Sequence, residues 1–103
     1  MQNLVDQTEL DIQTFHDASL RREIIGMFQR EAPLLIKAIE ASSGTARAEL
    51  AHRLKGSALA IGARPLAGAA DAVENNPADA GALTELCRLL DATGQVLRNL
   101  VDN

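Results

Sequence analysis

Aromatic residues and cysteine are the scarcest components of this 103-residue chain. It has no Trp, no Tyr and only two Phe, although hydrophobic residues make up 47% of it. A core must therefore be built from Leu, Ile, Val and Ala, which suits packed helices because strands favour β-branched and aromatic residues. The one cysteine, Cys87, cannot form an internal disulfide, so we expect a reducing, cytoplasmic environment.

Positive charge and long apolar runs are also lacking. The formal net charge is −4, which argues against a nucleic-acid partner that needs a basic surface. No run of 18 apolar residues is present, and Met1 to Glu9 has neither the basic start nor the apolar stretch of a signal peptide. From the length and the start at Met1 we expect residues 1–103 to form one stand-alone soluble domain without a membrane contact.

Short polar or Gly/Pro breaks divide the chain into stretches with helical periodicity. We predict a short helix within residues 6–17, followed by longer helices from Asp17 or Ser19 to about Ser42, from about Thr45 to Ile61, from about Pro65 to Glu74, and from about Ala78 to Val101. Pro33 should bend the longest of them or leave a backbone carbonyl unpaired, and Gly44 and Gly62 should end helices. Four substantial helices with short connections predict an all-α fold, an antiparallel four-helix bundle with a short N-terminal helix.

The same periodicity predicts whether several other side chains lie in the core or at the surface. Met27 and Phe28 are predicted to lie in the core or at its edge. Cys87 shares an apolar face with Leu83 and Leu90, so we expect a core residue rather than a reactive thiol. His16 shows no partner pattern and is expected to be solvated or to cap a helix.

The third predicted helix carries the most informative side chain, His52. With about 100° per residue, Leu50, Leu54, Ser57 and Ile61 fall roughly 140–200° from His52 and form the predicted core stripe. Ala48, Lys55, Gly56 and Leu59 lie within about 60° of His52. The imidazole should therefore be reachable from outside.

Two neighbours of His52 each have a bland and a functional interpretation. Gly56 costs a helix about 1 kcal/mol relative to alanine, so it either permits helix packing or clears space for a partner at the imidazole. Lys55 is either an ordinary surface lysine or a cation that helps to hold an incoming phosphoryl group. The combination of an exposed histidine, a lysine at +3 and a glycine at +4 favours the functional interpretation.

These residues carry a family resemblance. The stretch Ala51-His52-Arg53-Leu54-Lys55-Gly56-Ser57-Ala58, followed by Ile61-Gly62-Ala63 and Leu66, resembles the signature of histidine phosphotransfer (HPt) domains. That pattern reads His-x-Leu-Lys-Gly-Ser-(Ser/Ala), then Gly-Ala and a leucine. Leu10-Asp11, Glu31-Ala32-Pro33 after Phe28, and the closing helix agree more loosely. In this respect the chain resembles stand-alone HPt proteins of bacterial multistep phosphorelays.

The resemblance implies a relay intermediate in two-component signalling. By position, His52 would be the phosphoacceptor, Lys55 its electrostatic support and Gly56 the clearance for a docking receiver domain. The expected partners are receiver domains of response regulators and a hybrid histidine kinase, with this chain a monomer. We expect no cofactor of its own, since Mg²⁺ would sit on the receiver, and without a Gly-rich phosphate loop we expect no kinase activity.

Glu74 and Leu59, which are expected near His52, each allow two interpretations. Several HPt domains carry a glutamine from the following helix near the histidine, and Glu74 aligns there. Because a carboxylate would repel a phosphoryl group, we expect Glu74 to point elsewhere or not to correspond to that glutamine. Leu59 is either half-buried at a helix seam or part of an apolar receiver-docking patch.

Two rival hypotheses compete with the relay. A bundle of the same shape could act as a scaffold or inhibitor without phosphotransfer. An enzyme using His52 as a general base would need a concave pocket and a partner acid or nucleophile. A histidine on the convex surface of a narrow bundle is expected to have neither.

Overall fold

The computed structural model describes residues 3–102, whose regular structure is entirely helical. Five helices follow one another along the chain: α1 (Gln7–Gln13), α2 (Ala18–Ala41), α3 (Gly44–Ala60), α4 (Arg64–Asn75) and α5 (Ala80–Asp102). The connections from α2 onward are two to four residues long, so consecutive helices run antiparallel. The predicted four-helix bundle with a short N-terminal helix is confirmed. Within the described part of the chain, no helix combines the length and the apolar character that crossing a membrane requires.

The four long helices form a closed ring around one core. Each packs against its neighbours in sequence, and α5 returns to α2. The α3–α4 contact is the most extensive of these and the α2–α5 contact the least. The large apolar side chains that are fully buried are Leu10, Ile25, Ile39, Leu54, Ile61, Leu66, Val73, Leu86 and Leu97.

Aspartate side chains cap the first turns of two of the long helices, α2 and α5. The Asp17 carboxylate accepts hydrogen bonds from the backbone N–H groups of Ser19 (2.9 Å) and Leu20 (3.1 Å), as expected of an N-terminal cap. The start of α5 at Ala80, two residues later than predicted, follows from a cap that the sequence reading missed. The Asp79 carboxylate accepts from the Ala82 N–H at 3.0 Å, while Leu83 N–H donates to the Asp79 carbonyl.

Two further details of α2 concern Pro33, which lies inside the helix as predicted, and Met27, which lies outside the predicted core. The helix continues through Pro33, which lies exposed on its solvent side, where a missing hydrogen bond is most easily accommodated. Phe28 is buried as predicted, whereas Met27 is 46% exposed, because the buried stripe runs through Ile25, Phe28 and Ala32. A one-residue rotation of the stripe is enough to move Met27 to the surface.

Helix α1 closes one end of the bundle over the α3–α4 turn. The Asp6 N–H donates to the Gly62 carbonyl at 2.8 Å, and the Leu10 side chain is fully buried. Gly62 has φ +73°, and a Cβ there would lie 2.7 Å from the Asp6 carbonyl oxygen. Both the backbone conformation and the close approach therefore require glycine. An ion pair between Arg64 and Glu9 (2.7 Å) joins α1 to α4 at the surface.

Candidate functional site

Helix α3 presents His52 to solvent, as its helical position predicts. The imidazole-bearing side chain is 66% exposed, and a Cβ built on Gly56 would meet no atom within 4 Å. On the opposite side, Leu54 and Ile61 are buried. The surface one helical turn after His52 is therefore unobstructed, which leaves open space next to the ring.

The buried face of α3 is rotated relative to the predicted stripe. Leu50 and Ser57 are only half-buried, whereas Ala51 and Ala58 are fully buried. The reason is the close packing of α4, which covers the side of α3 where the small residues lie. This rotation brings the flank of His52 next to α4.

Glu74 of α4 contacts the histidine directly. Its Oε2 lies 2.9 Å from His52 Nδ1, a hydrogen bond across the α3–α4 seam. The expectation that Glu74 points away from His52 is therefore wrong. Repulsion between Glu74 and a phosphoryl group would be unopposed only if the carboxylate stood alone, but a cation accompanies it.

That cation is Lys55, whose ammonium bridges two carboxylates of α4. Its Nζ lies 3.1 Å from Asp71 Oδ1 and 3.1 Å from Glu74 Oε1. Asp71 is held in turn by the Asn75 side-chain amide, which donates to Asp71 Oδ2 at 3.1 Å. Lys55 is about one-quarter exposed, so the ordinary solvated lysine is not what the structure contains. We call His52, Lys55, Asp71 and Glu74 the seam network.

The ionisation of the seam network follows from these contacts. The hydrogen bond from Lys55, and then that from His52, lower the pKa of the Glu74 carboxyl below its ordinary value. Hydrogen bonds to Asp71 and to Glu74 raise the pKa of Lys55. At neutral pH both Glu74 and Lys55 are therefore charged.

The other flank of His52 has an apolar character. Leu34 of α2 is 69% exposed and lines a groove that also includes Leu50 and the charged residues Glu31 and Arg53. Further exposed apolar side chains on these two helices are Met27 (46%) and Leu59 (43%). Leu59 is thus accessible on the side of α3 that carries His52. The histidine stands between a polar flank on α4 and an apolar flank on α2.

The remaining surroundings of His52 form a shallow depression. It is lined by Thr45, Ala48 and Glu49 of α3 together with His52 and Glu74. Among the described residues, no group of three or more His, Cys, Asp or Glu side chains is placed to hold a metal ion. Elsewhere, burial raises the pKa of the half-buried Cys87 thiol, and His16 is exposed at φ +57°.

The sequence reading missed Asp71 and Asn75. A signal was present, because Asp71, Glu74 and Asn75 follow a three- and four-residue spacing that places them on one face of α4. The spacing does not predict how that face is placed relative to His52, which lies 22 residues before Glu74 in the chain.

Comparison with known proteins agrees with this geometry. Residues 23–103 match the Hpt domain family, so the match takes in most of α2 and all of α3–α5 and leaves α1 outside. Neither the curated proteins nor the solved structures that were compared with the chain gave a match. Hpt domains carry phosphoryl groups in phosphorelay signalling and have no kinase site of their own. With well over half of its length matched, the chain belongs to the Hpt domain family, the histidine phosphotransfer domains.

Proposed function

We propose that His52 is the phosphoacceptor of this domain and relays a phosphoryl group between the aspartates of two receiver domains. The observation that carries the proposal is the placement of an imidazole that is 66% exposed beside a glycine with open space above it. The position lies within the part of the chain that matches the Hpt family. An exposed ring on a helix surface can enter the active site of another protein.

The chemistry needs little from this chain besides a nucleophile and its orientation. A ring nitrogen of His52 attacks the phosphorus of a receiver's aspartyl phosphate, an N–P bond forms, and the P–O bond breaks with the aspartate carboxylate leaving. Passing the group on is the same step in reverse at a second receiver. Mg²⁺ on the receiver neutralises phosphoryl charge, so the chain is proposed to need no cofactor and no ATP site.

Gly56 and Lys55 support this step in different ways. Gly56 leaves the approach to His52 unobstructed, since nothing lies within 4 Å of the point where a Cβ would be. Lys55 contributes a charge that offsets the two carboxylates beside the histidine, because it lies 3.1 Å from both. Without it the phosphoryl group would meet uncompensated negative charge.

The apolar flank of His52 is the surface that we propose for receiver docking. Leu34, Met27 and Leu59 expose apolar area on α2 and α3, and apolar anchors at the centre of an interface contribute most to its affinity. The partners would be receiver domains of response regulators and of a hybrid histidine kinase, with the chain acting as a cytoplasmic monomer.

The test of the relay is transfer of radiolabel from phosphorylated receiver domains of the source organism to the purified protein. We expect an acid-labile, base-stable label on the wild type and none on His52→Gln. His16→Asn is the matched control, since His16 is the chain's other histidine and Asn accepts its φ of +57°. A scaffold protein without phosphotransfer would take up no label from any receiver, and label that persists on His52→Gln would also contradict the proposal.

The docking surface has its own test. Leu34→Glu should weaken receiver binding by at least about tenfold, because it puts a charge into an apolar contact. Phe15→Glu is the control, since Phe15 is 82% exposed but lies in the α1–α2 turn. Isothermal titration calorimetry with an unphosphorylated receiver would measure both. Equal binding by the two variants would place the docking surface elsewhere.

A further inference from the structure

We infer that Asp71 is a positioning residue that draws the Lys55 ammonium toward itself and thereby weakens the hold of this domain on its phosphoryl group. The inference rests on the proposed function of His52 and adds a property to it, the ease with which the group is passed on. Its basis is the hydrogen bond that Lys55 Nζ donates to Asp71 Oδ1 at 3.1 Å.

Asp71 and Glu74 compete for one ammonium. Both carboxylates lie 3.1 Å from Lys55 Nζ, but the contact with Asp71 is the better aligned of the two. Glu74 Oε1 is buried and has no well-aligned hydrogen-bond donor among the described residues. A buried carboxylate oxygen without a donor is costly, so Lys55 would turn toward Glu74 if Asp71 did not hold it.

Asn75 fixes Asp71 in this position. Its side-chain amide donates to Asp71 Oδ2 at 3.1 Å, so each oxygen of the carboxylate has a partner and the group cannot easily follow a moving ammonium. Because α3 and α4 run antiparallel, Asp71 faces Lys55. The contact between Glu74 and His52 lies about one helical turn away. The attraction of Asp71 therefore pulls the ammonium away from the level of the imidazole.

Charge balance gives this pull a consequence for the phosphorylated state. One ammonium stands between two carboxylates in the seam network, and a phosphoryl group on His52 adds up to about two further negative charges. Each hydrogen bond that Lys55 donates to Asp71 is one that it does not donate to the phosphoryl group. The phosphorylated state is thus stabilised less than the charge of Lys55 would allow.

A less stabilised phosphohistidine favours transfer to a receiver. The N–P bond breaks as the P–O bond to the receiver's aspartate forms, and the electron pair of the broken bond returns to the ring nitrogen. The equilibrium of this exchange depends on how well each protein holds the phosphoryl group. With Asp71 in place, we expect this domain to pass the group on rather than to store it.

The equilibrium is measured with a radiolabelled receiver domain that transfers its phosphoryl group to the wild type, with Mg²⁺ present and both directions followed to completion. Asp71→Asn removes the charge and keeps the shape. It should raise the ratio of label on this domain to label on the receiver by about two- to fivefold, the range of a partly exposed ion pair. Asp71→Glu keeps the carboxylate and should retain the wild-type ratio.

The matched control is Asp91→Asn. It changes the net charge equally, but Asp91 lies at the groove between α2 and α5, away from the α3–α4 seam. Its ratio of label should equal that of the wild type. An unchanged or lower ratio in Asp71→Asn, or an equal increase in Asp91→Asn, would overturn the inference. Circular dichroism would verify that the variants keep the helical fold.

A double variant shows whether Asp71 acts through Lys55. In a Lys55→Met background, Asp71→Asn should change the ratio of label much less than it does in the wild type, because the ammonium that Asp71 positions is gone. An equal change in both backgrounds would mean that Asp71 repels the phosphoryl group directly, and the positioning role would then be wrong.

A measurement without a receiver keeps this inference separate from the relay. Potassium phosphoramidate phosphorylates histidine directly, and a His16→Asn background leaves His52 as the one histidine that can react. The ³¹P signal reports the second ionisation of the phosphoryl group. The pKa of that ionisation should be lower when Asp71→Asn is added, because Lys55 is then free to stabilise the dianion.

The two hypotheses can therefore fail independently. An unchanged phosphoryl pKa in Asp71→Asn, in a protein that receivers phosphorylate normally, would overturn the inference and leave the relay intact. A lowered phosphoryl pKa in a protein that no receiver phosphorylates would refute the relay and support the positioning of Lys55 by Asp71.

Discussion

The two helix seams on opposite edges of the bundle, α3–α4 and α2–α5, are built differently. In the first, small residues at helical spacing let the backbones approach: Ala51 and Ala58 on α3, and Ala67 and Ala70 on α4, all buried. In the second, α2 and α5 stand further apart and leave a groove of about 570 Å³, which is lined by Phe28, Ala32, Pro33, Ile36, Leu90 and Gly94 among others.

This difference in packing determines where polar side chains from two helices can contact one another. Short side chains such as Asp71 and Glu74 reach Lys55 and His52 only because alanines hold their helices close together. Across the wider seam the same side chains would not meet. The α3–α4 seam therefore supports a fixed hydrogen-bond network at the surface, whereas the α2–α5 seam remains an open groove.

The largest expected effect comes from enlarging one alanine in each seam, which tests whether the two seams differ in packing. Ala58→Leu should destabilise the protein by about 1–3 kcal/mol, because the added atoms have no room between α3 and α4. Ala32→Leu makes the same change at a buried residue that borders the open groove, into which the added atoms can extend, and should cost less. Urea unfolding followed by circular dichroism measures both, and equal losses would mean that the seams do not differ in packing.

A second prediction concerns access to the site rather than stability. Gly56→Gln should slow phosphotransfer from a receiver by about tenfold or more, equivalent to roughly 1.4 kcal/mol, since the side chain would occupy the approach to His52. Folding should be unimpaired, because a Cβ at Gly56 meets no atom within 4 Å.

The matched control for that change lies in the other seam. Gly94 also sits inside a helix, and its added Cβ would make only an ordinary contact at 3.8 Å with Arg98. Gly94→Gln should leave transfer rates unchanged. Stopped-flow transfer kinetics would compare the two variants, and similar rates for both would assign Gly56 to helix packing alone.

Alanine at the same two glycines should stabilise the protein. Each substitution removes a flexible residue from a helix, and we expect a gain of up to about 1 kcal/mol at Gly56. Gly94→Ala should gain a similar amount or less, because its Cβ contacts the Arg98 side chain. Thermal unfolding of both variants is the measurement, and a loss of stability at Gly56 would show that its backbone needs glycine.

The smallest expected effect is on the pH dependence of stability. Because the pKa of Glu74 is lowered by folding from its ordinary value of 4.5, its contribution is complete above that pH and is lost as the pH falls through the lower, folded value. From about pH 5 to pH 3 the wild type should lose slightly more stability than Glu74→Gln. Parallel stability profiles would mean that the seam network is not coupled to folding.

Much of the fold and part of the site could be predicted from the sequence. The capping aspartate at Asp17, the stop at Pro77 and the leucine periodicity place the helices within about two residues, because these signals are local. The exposure of Met27 cannot be predicted from periodicity alone, because it depends on which side of α2 the neighbouring helices cover. The start of α5 is set by the cap at Asp79 and not by the break at Pro77.

The sequence by itself determined that His52, Lys55 and Gly56 share one face of a helix, since about 100° per residue fixes their relation whatever surrounds them. Only the tertiary structure decided that Glu74 and Asp71 complete the site. Their contacts cross a seam between residues 16 and 22 positions apart, and the register of that seam depends on how closely two alanine-lined helices pack. His52 can be identified from the sequence of one helix, whereas the carboxylate that contacts it belongs to a second helix.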